Sequence, residues 1–456
     1  MSRLVTVSNR VALPSQLQAA QGGLAVGLRA ALEEAGGVWF GWDGRVDERI
    51  EGPRQPQVQE HNDVHYATLR LSRSEYNRYY LGFANQVLWP LCHYRMSFIH
   101  CRRDRVEGYW AVNQLFAEHL PPLLEGDEVI WVHDYHFIPL GQMLREQGIR
   151  APIGFFLHTP FPPWDIFRAL PDHERLLTAL CHYDLFGFQT AIDRDNFFNC
   201  LANCRTGMPT PRAEAFPIGI DVDQVACEAQ RGYNSQQGRR LQQSLGERRL
   251  MMGVDRLDYS KGLRNRFEAY EALLEAYSEH RGDLAYLQIA PISRGDVPEY
   301  EEIRQYLEYL AGHINGRFAE YDWVPLRYLN RGFHRSNILG FLARSDVGLI
   351  TPMRDGMNLV AKEFVASQDP GDPGALVLSE GAGAAQELDG AVQVNPYHID
   401  EMVEGMHQAL TMPLGERRER WQQMIEVLRR HDIHRWRSEF VQTLHDAHRA
   451  RTSEVL

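Results

Sequence analysis

An α/β architecture built on parallel sheets, in two Rossmann-like domains, is what this 456-residue sequence predicts. Three observations carry that prediction. Short apolar runs alternate with amphipathic helical stretches along nearly the whole chain, and the alternation breaks once, near residues 205–245. Charged and glycine-rich strings stand directly after the apolar runs rather than inside them. Alternation of strand and helix implies parallel strands joined by right-handed crossovers. Ligands of such folds collect at the carboxyl ends of the strands.

In the first half the expected strands lie at 4–8, 38–42, 129–132, 153–157 and 185–188, with helical patterns at 25–35 and 193–204. In the second half they lie at 250–254, 285–289, 347–350, 375–378 and 391–394. Pro209, Pro211, Pro217 and the polar run Asn234-Ser235-Gln236-Gln237-Gly238 interrupt the pattern, which places the joint near residue 221. The expected domains are therefore 1–220 and 221–430. The tail from about 415 reads as strongly helical, and 431–456 is expected to pack back on the first domain. Two facing sheets would put the ligand site in a cleft between the domains. No internal repeat or low-complexity region is evident.

The composition is that of an ordinary globular protein, 44% hydrophobic and 24% charged. Lys+Arg 48 against Asp+Glu 60 gives a net charge of −12 without a basic block, which argues against nucleic acid or an anionic membrane surface as partner. The six cysteines show no paired zinc spacing, and Cys200 and Cys204 read as packing residues on one helix face. The opening Met1-Ser2-Arg3-Leu4-Val5 enters a strand at once, leaving no room for a signal peptide. No apolar run approaches the ~20 residues of a membrane span. A cytoplasmic protein with free thiols is the expectation.

Asp355-Gly356-Met357-Asn358-Leu359-Val360-Ala361-Lys362-Glu363 follows the apolar run at 346–352. Pro352 stops the strand, Gly356 permits a turn, and a helix opens at Leu359. Unpaired N–H groups then point from the sheet edge, a ready-made place for a phosphate. Glu363, one turn in, suits ribose hydroxyls, although an ordinary Asp-Gly turn before a helix reads the same way. Asp255-Arg256-Leu257-Asp258-Tyr259-Ser260-Lys261-Gly262-Leu263 is a sharper signal. Arg256 and Lys261 bracket a strand-to-helix turn, and the helix N-terminus adds partial positive charge, a set that fits a diphosphate.

Arg10, and Arg294 in Ser293-Arg294-Gly295-Asp296, follow strands where an arginine has no packing reason to be. Together they fit capture of an anionic substrate; either alone also fits a surface ion pair. His133-Asp134-Tyr135-His136 matches no standard metal ligand set, and Asp134 suits a substrate hydroxyl. His158, in a proline-fixed loop, either faces the cleft or is a hydrogen-bonded structural histidine. Gly22-Gly23 misses the G-x-G-x-x-G fingerprint, yet adjacent glycines allow close backbone approach, and a plain helix start fits equally. Asp221-Val222-Asp223-Gln224-Val225 imitates a phosphatase D-x-D motif, but no downstream aspartate pair completes a magnesium site, so it reads as structural.

Taken in order, SNR (8–10), GGLAVG (22–27), LWPLCHYR (88–95), HDYH (133–136), GFFLHTPFP (154–162), GFQT (187–190), PIGID (217–221), DRLDYSKGL (255–263), IAPISRGD (289–296), SDVGLITPMRDGMNLVAKEFVA (345–366) and VNPY (394–397) resemble the trehalose-6-phosphate synthase family, retaining glycosyltransferases of GT-B fold. The resemblance implies transfer of glucose from a nucleotide-glucose, usually UDP-glucose, to glucose 6-phosphate. It makes 1–220 the acceptor domain and 221–430 the nucleotide-sugar domain. It further implies that Gly22 and Gly23 contact the donor, that Arg256 and Lys261 hold its diphosphate with Leu359 and Val360, and that Glu363 takes the ribose. The backbone of Phe333 would meet the base, and His158 and Asp355 the donor glucose. Arg10, Tyr80, Asp134 and Arg294 would bind glucose 6-phosphate, with Trp89 beside it.

The family's mechanism is attack on the face that the nucleotide leaves, with no enzymic nucleophile, no metal and no added cofactor; a homo-oligomer is the expected assembly. His158, Asp355, Arg256 and Lys261 are then the catalytic set. The sequence offers phosphate-binding cations and no carboxylate pair of the glycosidase type, in keeping with that mechanism. Two departures stand out: the stretch 204–216 is shorter than in many relatives, and the chain ends at Leu456 without a fused phosphatase domain, so free trehalose is not the expected product. Competing readings are a glucosylglycerol-phosphate synthase, which differs in acceptor, and a catalytically silent relative that senses sugar phosphate.

Overall fold

The computed structural model describes residues 3–14, 28, 32, 36–50, 54–292 and 298–453. Gly22, Gly23, Arg294 and most of the helix expected at 25–35 lie outside the described residues. The chain divides into two compact units, Met1–Pro217 with His434–Leu456, and Ile218–Ile433.

The first unit holds an eight-stranded sheet of β1 (Leu4–Arg10), β2 (Gly37–Asp47), β3 (Gln57–His61), β4 (Val64–Ser72), β5 (Val129–His133), β6 (Ile153–Phe156), β7 (Leu185–Phe188) and β8 (Arg212–Ala215). Their spatial order is β3-β4-β2-β1-β5-β6-β7-β8, and all neighbours are parallel except the β3–β4 hairpin. From β1 the chain winds one way through β2 and β4, then returns to the other side of β1 with β5. The β1–β5 border is therefore the switch point of this sheet. The helix Ile433–Ser453 packs on the same sheet: Phe440 stacks on Trp131 with ring centroids 4.5 Å apart and planes at 13°. Glycine makes room for it, because a Cβ on Gly154 or Gly187 would come within 2.8 and 2.7 Å of the Phe440 ring.

The second unit holds β9 (Arg249–Val254), β10 (Leu284–Ile289), β11 (Leu326–Leu329), β12 (Val347–Ile350), β13 (Ala375–Ser379) and β14 (Val392–Val394), all parallel, in the order β11-β10-β9-β12-β13-β14. Counted within the sheet this is 3-2-1-4-5-6, the doubly wound order of dinucleotide-binding folds, with its switch point between β9 and β12. Strands buried throughout explain the unbroken apolar runs that mark them in the sequence.

Four strands escaped the sequence pattern. β3 is exposed along its length, β8 alternates charged residues with alanine, and β11 carries one arginine; the last two span four positions each, too short a window to read. β4 follows β3 in a hairpin turned by Asn62 and Asp63 at positive φ. The polar run at 234–238, expected as a break, is a helix start: Ser235 Oγ accepts from Gly238 N at 3.0 Å and opens the helix Gln236–Leu245. Asp221 caps the helix Val222–Tyr233 in the same way, accepting from Gln224 N at 2.8 Å, which accounts for the phosphatase-like string. Tyr76–Leu88 winds as a π-helix of 13 residues, with Trp89 N–H bonded to the Ala84 carbonyl five positions back. Such turns are rare and usually single. Among the described residues no helix is long and apolar enough to cross a membrane.

Within the second unit the helices Val222–Tyr233 and Arg335–Leu342 cross glycine against glycine. A Cβ on Gly340 would lie 2.1 Å from the Gly232 carbonyl carbon, and one on Gly232 would lie 1.7 Å from Ser336 O. Gly316, in the helix Pro298–Phe318, has nothing within 4 Å of its Cβ position. Gly340→Ala is therefore expected to destabilise the protein by about 1–3 kcal/mol through forced backbone separation. Gly316→Ala should stabilise it by about 0.5–1 kcal/mol by restricting the unfolded chain. Urea midpoints check the pair, and equal effects of one sign would contradict the close crossing.

Candidate active site at the two switch points

In the second unit the loop after β9 is stitched to the end of β12. Gly262 takes φ +67, and a Cβ there would lie 2.3 Å from Thr351 O, so a close backbone approach requires glycine. Met353 N donates to Ser260 O at 2.8 Å, and Asp258 accepts from Ser260 N at 2.9 Å and from Tyr300 Oη at 2.9 Å. Beneath this loop lies Arg266, fully buried. It donates to Asp255 Oδ2 at 2.7 Å, Gln288 Oε1 at 2.9 Å, Thr351 Oγ1 at 3.1 Å and Lys261 O at 3.2 Å. Burial pushes the Asp255 carboxyl up, and Arg266 and Lys261 oppose that push.

This stitching brings Lys261 Nζ within 2.5 Å of Asp355 Oδ2, across the β9–β12 border. Asn358 donates from Nδ2 to the same carboxylate oxygen at 3.0 Å. Asn358 itself is left-handed, φ 76, and its side chain accepts from Ala361 N at 3.3 Å, capping the helix Leu359–Ser367. Leu359 and Val360, half-buried, form the first turn, and Arg256 is exposed on the facing loop. Lys261 and the start of the helix Leu359–Ser367 thus meet at the β9–β12 border through Asp355 and Asn358, and unpaired N–H groups at a helix start favour an anion. Glu363 is paired with Arg335 at 2.8 Å. Phe333 packs edge-on to Phe341 at 5.7 Å, with the Arg331 guanidinium 4.9 Å from its centroid.

In the first unit Arg10 is the last residue of β1 and exposed, and Asp134 follows β5 directly, so both stand at the other switch point. The Arg10 guanidinium lies over Gly44, where φ is +87 and a Cβ would come within 2.7 Å of Nε. Asp134 holds φ 73 and ψ 166, a conformation that costs a non-glycine residue energy and marks functional sites. It accepts from His158 N at 3.3 Å. The His158 ring is engaged on both sides: Gln189 Nε2 meets its Nδ1 at 3.2 Å and His133 Nδ1 meets its Nε2 at 3.0 Å. Although the residue as a whole is only half-buried, burial of the ring pushes its pKa down to about 3, and His133 is driven well down as well. Both rings are neutral.

Tyr80, on the π-helix, stacks on His136 with centroids 6.0 Å apart and planes at 14°. Its neighbour Tyr79 donates to Asn9 Oδ1 at 2.9 Å, tying the π-helix to the residue before Arg10. Trp89 is buried, packed on His93 at 4.1 Å and Tyr135 at 5.8 Å.

Sequence reasoning missed Arg266, Arg335, Asn358, Gln189 and the His133–His158 contact. A signal existed for Arg266, which falls on the apolar face set by Leu263, Phe267, Tyr270 and Leu274. One His/Glu group among the described residues has ligand spacing: atoms of Glu279, His280 and His407 lie within 4.8 Å of one another. Arg249 Nη2, which can only donate, meets His280 Nδ1 at 3.1 Å, so His280 Nε2 keeps its hydrogen and donates to His407 Nδ1 at 3.1 Å. That arrangement disfavours a cation. It also lies where β9 and β10 begin, at the opposite ends of the strands from the switch-point crevice.

The sequence profile of Glycosyltransferase family 20 matches residues 3–446. The chain is 47% identical to a trehalose-6-phosphate synthase of Klebsiella pneumoniae, over 97% of this chain and 95% of that one. It is similar, at TM-score 0.93 and 48% identity, to an alpha,alpha-trehalose-phosphate synthase (UDP-forming) from Burkholderia xenovorans in complex with glucose-6-phosphate, over 97% of this chain and 100% of that one. A structure from E. coli bound with UDP-2-fluoro glucose matches at TM-score 0.91 and 46% identity, over 97% and 99% of the two chains. The chain belongs to glycosyltransferase family 20.

Proposed function

We propose that the protein transfers glucose from UDP-glucose to glucose 6-phosphate with retention, forming α,α-trehalose 6-phosphate and UDP. The observation that carries this reading is the near end-to-end match to structures holding glucose-6-phosphate and UDP-2-fluoro glucose, in a chain that keeps cationic groups at both switch points. In the second unit Arg256, Lys261 and the first-turn N–H groups at Leu359 and Val360 take the diphosphate, Glu363 the ribose, and the Phe333 backbone the base. Asp355 and His158 meet the donor glucose, with Gly22 and Gly23 backing it. In the first unit Arg10, Tyr80, Asp134 and Arg294 take glucose 6-phosphate, with Trp89 behind.

The chemistry asked of these residues is electrostatic. Asp355 is tied by Lys261 and Asn358 through one oxygen, which suits it to accept a glucose hydroxyl rather than to attack the anomeric carbon. His158, neutral with both nitrogens engaged, moves no proton near neutral pH. The acceptor proton then passes to the departing phosphate, while Arg256 and Lys261 stabilise the charge that develops there. Positioning of the acceptor beside the bond that breaks supplies the rest.

Incubation of the protein with UDP-glucose and glucose 6-phosphate should release UDP, and glycerol 3-phosphate should be the poorer acceptor. No UDP release would overturn the reading, and preference for glycerol 3-phosphate would replace the acceptor. Arg256→Ala and Lys261→Ala should each lower kcat by ~10²-fold or more, as loss of one preorganised anion-stabilising group does. Near-wild-type rates in both would place the diphosphate elsewhere.

The histidine pair also sets a pH dependence. With the folded pKa of His158 at about 3 against an ordinary 6.5, folded and unfolded states are both neutral above 6.5. As pH falls below that value the unfolded chain gains a proton that the folded one refuses, so stability is lost toward acid. The drop in urea midpoint from pH 7 to pH 5 should be larger for the wild type than for His158→Gln; equal drops would contradict the neutral pair.

A further inference from the structure

We propose that Arg335 is the positioning residue for Glu363, holding one carboxylate oxygen so that the other is presented to the ribose of the donor nucleotide. The proposal rests on the reading above, in which Glu363 takes the ribose. Arg335 opens the helix Arg335–Leu342 and divides its fork between two carboxylates. Nη2 donates to Glu363 Oε1 at 2.8 Å, and Nη1 donates to Glu228 Oε2 at 2.8 Å. The three side chains are 18%, 13% and 22% exposed in the order Arg335, Glu363, Glu228, so the network is largely enclosed.

A lone guanidinium–carboxylate contact leaves a carboxylate free to rotate about its last bond. Here the second contact, to Glu228, pins the planar fork, and the pinned fork fixes the position of Glu363 Oε1. Glu363 Oε1 is committed to Arg335, which makes Oε2 the oxygen for a donated hydroxyl. A ribose diol offers donors of that kind. Burial, with a smaller push from Glu228, raises the Glu363 carboxyl, and the Arg335 guanidinium opposes that rise toward the protonated form. A protonated Glu363 would offer a hydrogen where the ribose already brings two.

The fold sets the spacing of this network. Glu228 stands one turn before Gly232, and Arg335 starts the helix that carries Gly340, the two glycines at which the helices touch. Ser235 Oγ donates to Asn337 Oδ1 at 3.2 Å, and the Arg344 guanidinium lies 3.6 Å from the Tyr233 ring centroid, locking the same pair of helices. Glu363 comes from a third helix, Leu359–Ser367, whose first turn is the proposed phosphate cradle. Arg335 thus ties the ribose carboxylate to the glycine crossing.

The test compares kcat/KM for UDP-glucose with that for 2′,3′-dideoxy-UDP-glucose, at saturating glucose 6-phosphate, in wild type, Glu363→Gln, Arg335→Gln and the double variant. The wild type should prefer the ribose donor. Arg335→Gln and Glu363→Gln should each lower that preference about tenfold or more, the loss of a charge-assisted hydrogen bond. The loss should appear mainly in donor KM. Added to Glu363→Gln, Arg335→Gln should cost less than about twofold further, because the two act through one oxygen. Arg335→Lys keeps the charge without the fork and should shift the preference in the same direction, which decides the matter if Arg335→Gln fails to fold. An unchanged ribose preference in the Arg335 variants, or a full additional loss in the double variant, overturns the proposal. A preference lost in Glu228→Gln and kept in Glu363→Gln would move the ribose to Glu228 and overturn it too. A wild type that releases no UDP overturns the functional reading and this proposal with it, whereas an active wild type with indifferent Arg335 variants overturns this proposal alone.

Discussion

A single fully buried guanidinium organises the second unit. Arg266 reaches the ends of β9, β10 and β12 and the carbonyl of Lys261 in one fork. Stripping an arginine and an aspartate of water costs several kcal/mol for each ion, and only dense hydrogen bonding offsets it. That cost is also why the arrangement is specific. Any slip of the loop after β9 would leave a buried charge without its partner. Arg266 holds the Lys261 carbonyl, so the place from which Lys261 faces Asp355 depends on a fully buried residue.

The two sheets solve the same problem with different materials. In the second, an ion pair and a helix N-terminus line the switch point, and the ion pair sets a buried lysine against a half-buried aspartate. In the first, Asp134 stands in a strained backbone conformation beside two neutral imidazoles, and Arg10 lies over a glycine that alone leaves it space. Backbone strain, in that unit, accompanies the placing of a carboxylate at the sheet edge. Both devices fix a polar group before any substrate arrives, which lowers the reorganisation left for the chemical step.

Much of this was legible in the sequence because burial on both faces writes strands as unbroken apolar runs. β5, β7, β9, β10 and β12 are of that kind. β3, with its five exposed residues, and β8 and β11, only four residues long and mostly half-buried or exposed, carry no such signature, since edge strands owe their structure to pairing rather than to burial. Of the site, residues with chemistry at strand ends could be read directly: Arg10, Asp134, Lys261 and Asp355. The residues that brace Glu363 and His158 could not. Arg335, Glu228 and Gln189 act across long sequence separations, and an isolated charged residue on a helix looks the same whether it meets solvent or a partner 28 positions away, as Arg335 meets Glu363. Polar caps misled in a further way, since Ser235 and Asp221 satisfy backbone donors with the same residue types that make loops and metal sites.

The path of the chain has a consequence for how the protein is made. Residues 218–433 form one unbroken unit, whereas the first unit leaves at Pro217 and is completed only by His434–Leu456. During synthesis the sheet face around Trp131, Gly154 and Gly187 emerges early, yet the helix that covers it is the last of the described elements to be made. The second unit can reach its native contacts while the first still exposes an aromatic face to the cell. The order of completion is thus the reverse of the order of translation, and the hazard of aggregation falls on the half of the molecule that was synthesised first.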